Sequence, residues 1–102
     1  IGKNNLENDR LTLKTAEKTD MWFHTKNIPG SHVVVETHGE ELPSEVILYA
    51  AKLAAENSSG KNSSQVAVDY TLIKNIKKPN GAKPGMVIYK TNQTVYVTPN
   101  KE

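Results

Sequence analysis

The sequence predicts an α+β domain: a mostly antiparallel sheet of about five or six strands, one main helix over residues 44–57 and a short N-terminal helix. Three observations carry that prediction. Apolar residues alternate or run together in short segments near residues 20–25, 33–35, 66–76 and 86–98, the pattern of pleated strands. Residues 44–57 instead repeat apolar positions at helical spacing and carry four alanines, Ala50, Ala51, Ala54 and Ala55. No repeat or domain linker interrupts the chain, and 102 residues suit one compact domain, residues 1–102.

Each element follows in order. Gly2 and the asparagines before residue 8 favour a turn, because Asn tolerates left-handed backbone. Residues 8–16 fit a short helix capped by Asn8 or Asn5, with Leu6, Leu13 and Ala16 inward and Arg10, Lys14 and Lys18 outward; the alternation at Leu11–Leu13 would also suit a strand. Residues 20–35 organise the chain. They read as two strands joined at Pro29-Gly30, with Met21 and Phe23 on one face and Asp20, Trp22 and His24 on the other. The β-branched Val33-Val34-Val35 run suits a buried strand. A polar loop then leads to the helix, with Ser44 as N-cap and Glu45 at its positive end. The alanine face leaves a flat surface that can approach a sheet closely. Residues 66–76 alternate as one long strand, with Val66, Val68, Tyr70 and Leu72 on one side and Ala67, Asp69, Thr71 and Ile73 on the other. After a loop with two prolines and two glycines, Met86–Tyr89 forms a strand and Thr94–Thr98 pairs back on it across Asn92-Gln93. Met21, Phe23, Val34, Leu53, Val68 and Val87 are expected in one core under the helix.

Composition excludes several classes. There is no cysteine, hence no disulfide or thiolate metal site. No apolar run is long enough to span a membrane, so no membrane partner is expected. The chain opens on Ile1 rather than Met, which suggests a piece of a larger multidomain protein. Net charge is only +2 but unevenly spread. Residues 27–51 carry four acids (Glu36, Glu40, Glu41 and Glu45) and no Lys or Arg, whereas residues 70–101 carry six lysines and no acid. A basic lobe beside an acidic one points to a polyanionic partner; the plainer account is a solvated lysine surface.

Other motifs fall away. Gly60-Lys61 is not a phosphate loop, because Ala55 stands where a glycine is required and Asn62 where Ser or Thr is required. The sequons at Asn57, Asn62 and Asn92 read as chance matches. Asp20, His24 and His32 lack a third ligand at characteristic spacing, so structural histidines are favoured over a metal site, and nothing marks a nucleophile among Ser31 and its neighbours. No catalytic residue, metal or cofactor is expected. Trp22 suits the core better than a stacking platform for a base. The lysine loop, residues 74–83, keeps backbone amides and ammonium groups free for phosphate contacts.

Taken together, these pieces closely resemble one family. They are Gly2-Lys3-Asn4-Asn5, Asn8-Asp9 with Leu11-Thr12, Asp20 with Trp22-Phe23-His24, Pro29-Gly30-Ser31-His32-Val33, Ala50-Ala51 with Leu53-Ala54, Val68 with Tyr70-Thr71, and Lys77-Lys78-Pro79 with Gly81, Lys83-Pro84-Gly85, Val87 and Tyr89. The series resembles the NFACT-R RNA-binding domain of the NEMF/RqcH family, whose Gram-positive members are also called fibronectin-binding proteins. The resemblance implies a larger cytoplasmic parent that binds tRNA on a large ribosomal subunit carrying a stalled nascent chain. It implies support of template-free C-terminal alanine tailing in ribosome quality control, with the peptide-bond chemistry left to the ribosome and this domain a binder, not an enzyme. Charge, the polar strand face and the resemblance together set the expected RNA contacts. These are Lys3, Asn4, Asn5, Lys14, Trp22, His24, Lys26, Ser31, His32, Lys74, Lys77, Lys78 and Lys83, arranged as two edges around His24, Lys26 and His32. A fibronectin-binding adhesin and a hydrolase using His24 and His32 are the competing readings.

Overall fold

The central stretch folds into two antiparallel strands, β1 (Met21–Thr25) and β2 (Val33–Val35), with Trp22 opposite Val34. The computed structural model describes residues 1–99. Lys101, a position expected to matter little for RNA, lies outside the described residues. The N-terminal segment forms α1 (Asn5–Arg10), which widens into a π-helical turn over Leu11–Thr15. A helix, α2 (Ser44–Glu56), precedes β3 (Val66–Leu72), a short 3-10 turn at Ile73–Asn75, β4 (Ile76–Lys77), β5 (Ile88–Tyr89) and β6 (Gln93–Val97). The fold is α+β, with six strands in two antiparallel sheets among the described residues. The main sheet runs β2-β1-β3-β6, and β4 pairs with β5 apart from it.

Four local expectations are corrected. The cap of α1 is Asn4, whose side chain accepts the Glu7 N–H at 2.9 Å. Glu7 in turn accepts the Lys3 N–H at 2.9 Å, close to a reciprocal capping box. Consequently Asn8 and Thr12 point inward, while Leu6 is 67% exposed and Leu13 38%. Pro43, not Ser44, is the N-cap of α2, without a side-chain bond. The single long strand breaks at Ile73, where the N–H turns to the Asp20 carbonyl. Finally, β6 pairs with β3 rather than with β5, because β3 offers a five-residue ladder and β5 only two residues.

Strand alternation divides the interior in two. On one face Phe23, Val33, Val66, Val68 and Val97 pack beneath the buried Ala50, Ala51, Ala54 and Ala55 of α2. The small methyl side chains of the alanines let helix and sheet pack close together. On the other face Trp22, Ile73 and Ile76 form a second cluster, with Ala16, Val34, Val87 and Tyr89 against it. Val34 and Val87 therefore belong to this second core, not to the one under the helix. The N-terminal segment and the β4–β5 hairpin cover this second face, which sequence periodicity left open.

Candidate nucleic-acid interface

The polar strand face becomes an aromatic nest. Trp22 stacks on His24 with ring centroids 5.7 Å apart and meets His32 and Tyr89 edge-on at 5.2 and 5.1 Å. The two imidazoles are 5.2 Å apart. Trp22 and His32, both among the expected RNA contacts, are each 1% exposed, so neither presents a ring face to solvent in this conformation. The Trp22 indole N–H has no acceptor among the described residues. Thr12 Oγ1 lies 2.7 Å from His32 Nδ1, and the His32 N–H donates to Asn8 Oδ1 at 3.0 Å. Burial, with His24 beside it, pushes the His32 pKa down to about 4, against smaller opposing effects of the Gly85 backbone and Asp9. Burial also lowers His24, against the Gly30 backbone and the Asp69 carboxylate.

The carboxylate that serves this face is Asp69, opposite His24 in the ladder. It accepts the Tyr89 hydroxyl at 2.6 Å and the Thr94 hydroxyl at 2.7 Å, and Lys26 Nζ approaches to 3.6 Å. Burial and Asp69 together raise the Tyr89 pKa, so the phenol stays protonated. Lys26, 46% exposed, keeps part of its ammonium toward solvent. Asp20 stands apart from the histidines: its carboxylate accepts the N–H groups of Glu17 and Thr37. Among the described residues no group of three or more His, Cys, Asp and Glu side chains could hold a metal.

The basic loop meets α1. Gly85 has a positive φ of 86° and donates its N–H to Asp9 Oδ1 at 2.9 Å. A Cβ there would stand 2.7 Å from Asn5 Oδ1. Lys78 Nζ lies 3.2 Å from Asp9 Oδ2 and donates to the carbonyls of Lys83 at 2.7 Å and Met86 at 3.2 Å. These contacts make Lys78, whose side chain is 26% exposed, a tie between the basic loop and α1. Asn4 likewise uses its side-chain oxygen in the cap.

The remaining candidates sort into two hollows. Lys3, Asn4, Asn5 and Ser31 line one of about 260 Å³ together with Gly30 and Ser58. Lys74 and Lys77 line another of about 210 Å³ with Lys90, Asn75, Ile88 and Thr91. Lys14 and Lys83 are exposed and line neither hollow. Sequence reasoning missed Asp9, Thr12, Asp69, Tyr89 and Lys90. For Lys90 a signal existed, since it belongs to the acid-free lysine segment. For Asp69 the strand parity was visible but its partners were not.

Residues 1–91 match the family model described as the NFACT protein RNA binding domain. The chain belongs to that family. It is 51% identical over 102 residues to the Rqc2 homolog RqcH of Bacillus subtilis, and 48% identical over 102 residues to that of Streptococcus suis. Each alignment uses the whole chain and 18% of the relative, so this NFACT-type chain spans under a fifth of those proteins. Among solved structures, the C-terminal part of the fibronectin/fibrinogen-binding protein from Streptococcus suis superposes with a TM-score of 0.92 at 48% identity, covering 98% of this chain and 40% of that one.

Proposed function

We propose that this domain is a non-catalytic RNA-binding module of a cytoplasmic ribosome quality control factor. In that reading it engages tRNA or ribosomal RNA on a large subunit carrying a stalled nascent chain, while its parent supports template-free alanine tailing. The single observation that carries the reading, beside family membership, is the hollow walled by Lys74, Lys77 and Lys90 around Ile88. No carboxylate lines it. Ile88 is 52% exposed, an apolar platform for a base or ribose amid three ammonium groups suited to phosphates. The Lys3, Asn5 and Ser31 hollow would extend the contact past Gly85.

The test is a salt series of tRNA titrations. Lysine–phosphate contacts release counterions, at a slope of about −0.7 per contact on single strands. Replacing Lys74, Lys77 and Lys90 with alanine should lower the slope magnitude by about 2 and weaken binding tenfold or more at low salt. Melting temperature should be unchanged, since these side chains are exposed. Retained affinity in that variant would move the RNA surface elsewhere. Tight fibronectin binding by the same chain without tRNA binding would favour the adhesin reading, and RNA cleavage lost in His24→Ala would favour the hydrolase.

A further inference from the structure

α2 covers only part of its face of the sheet. Beyond Phe23, Met21 and Leu72 stand opposite each other on β1 and β3, with Tyr70 beside them, and all three are only half-buried. Two adjoining hollows of about 450 and 380 Å³ open there and share Met21, Tyr70, Leu72 and Gln93. Tyr70 is held flat by Phe23, with centroids 5.3 Å apart and planes 20° from parallel. The larger hollow is closed by Leu42 and Ile47 and rimmed by Glu40 and Glu41. Neither hollow is lined by a Lys or Arg. Both rim glutamates are exposed and make no ion pair among the described residues.

The floor and the rim ask for different things of one occupant. Met21, Leu72, Ile47 and the Tyr70 ring gain by covering an apolar side chain. Two unpaired carboxylates beside them gain by meeting a cation and repel a phosphate. An RNA strand therefore fits the floor but not the rim. We propose that this groove docks a basic protein segment, an apolar side chain resting on Met21, Tyr70 and Leu72 and an adjacent lysine or arginine against Glu40 and Glu41. Charge also sets the direction of the segment. The smaller hollow shares Asn75 and Thr91 with the lysine hollow, so cations are disfavoured at that end. This inference does not rest on the RNA-binding reading.

The probe is the acetylated and amidated peptide Lys-Lys-Leu-Phe-Gly-Ser, cationic on one side of its apolar pair only, titrated into the 15N-labelled chain and followed by amide shifts. Two control peptides replace Leu-Phe with Gly-Ser or every Lys with Glu; a tRNA titration is run beside them. Saturable shifts are expected at Met21, Leu42, Tyr70, Leu72 and Gln93 with the first peptide and with neither control. Glu40→Gln/Glu41→Gln, exposed positions that leave the fold intact, should weaken the peptide about fivefold, the scale of two exposed ion pairs. Unchanged affinity in that variant overturns the proposal, as do equal shifts with the peptide lacking Leu-Phe. If tRNA or the acidic peptide moves these same residues, the occupant is not a basic segment and the proposal also fails.

Discussion

His32 is held by Thr12 at Nδ1, by Trp22 at its ring edge and by His24 alongside. Its folded pKa of about 4 lies below its ordinary value of 6.5. The unfolded chain therefore binds the extra proton first, and stability falls as pH drops from about 6.5 toward 4, by on the order of 3 kcal/mol from this group alone. Above the ordinary value the contribution is fully present. The lowered pKa of His24 acts with the same sign. The expected outcome is a melting temperature that declines through this window while the His32 ring carbon shifts in NMR stay flat until below pH 5. A His32 midpoint near 6.5 would remove the explanation. The sequence shows that Trp22 and His24 share a strand face, because parity alone sets that. It does not show that Trp22 and His32 are sealed, because the residues that seal them, Thr12 and Tyr89, come from distant segments.

The helix α2 is legible because alanines at 50, 51, 54 and 55 fall on one side of a 3.6-residue period, and all four are buried. Ala54→Lys forces an ammonium into that close contact and should cost about 2–4 kcal/mol. An unchanged melting temperature would show the face to be open. The strands were harder to read. Alternation holds from Val66 to Leu72 and lapses at Ile73, where two apolar residues in a row are followed by the polar pair Lys74-Asn75, and the 3-10 turn stands at that lapse. The β6 pairing is hidden from the sequence, because a short polar turn at Asn92 looks like a hairpin while ladder length decides which strand wins. Asn4 is legible as a cap, since Glu7 stands three residues on, the spacing that marks a capping box. At the meeting of α1 and the basic loop, Gly85→Ala meets both the positive φ and the Asn5 side chain. A loss of about 1–3 kcal/mol is expected by chemical denaturation, and a neutral result would mean that the loop can lift from α1.

On the scale of the whole molecule, two segments remote in sequence close the second core, and one ion pair joins them. Lys78 and Asp9 are 69 residues apart, and the ammonium also gathers the carbonyls of Lys83 and Met86. The family resemblance groups Lys77 with Lys78, and charge alone treats both as RNA contacts. Their surroundings separate them: Lys77 opens into the lysine hollow, whereas Lys78 ties the hairpin loop to α1. A paired Lys77→Glu/Lys78→Glu variant would therefore mix lost phosphate contact with lost structure. Single changes divide the two. Lys78→Met keeps the aliphatic stem but leaves the Asp9 carboxylate unpaired, so it should cost about 1–2 kcal/mol, roughly 4–16 °C in melting temperature. Asp9→Asn should lose a similar amount, and the double variant less than the sum, because both remove one tie. Measured well below the melting point, tRNA affinity of Lys78→Met should stay within about twofold of the parent, while Lys77→Met weakens it and keeps the parent's melting temperature. A Lys78→Met variant that melts like the parent yet loses tRNA would return Lys78 to the RNA surface and break the division between strut and contact.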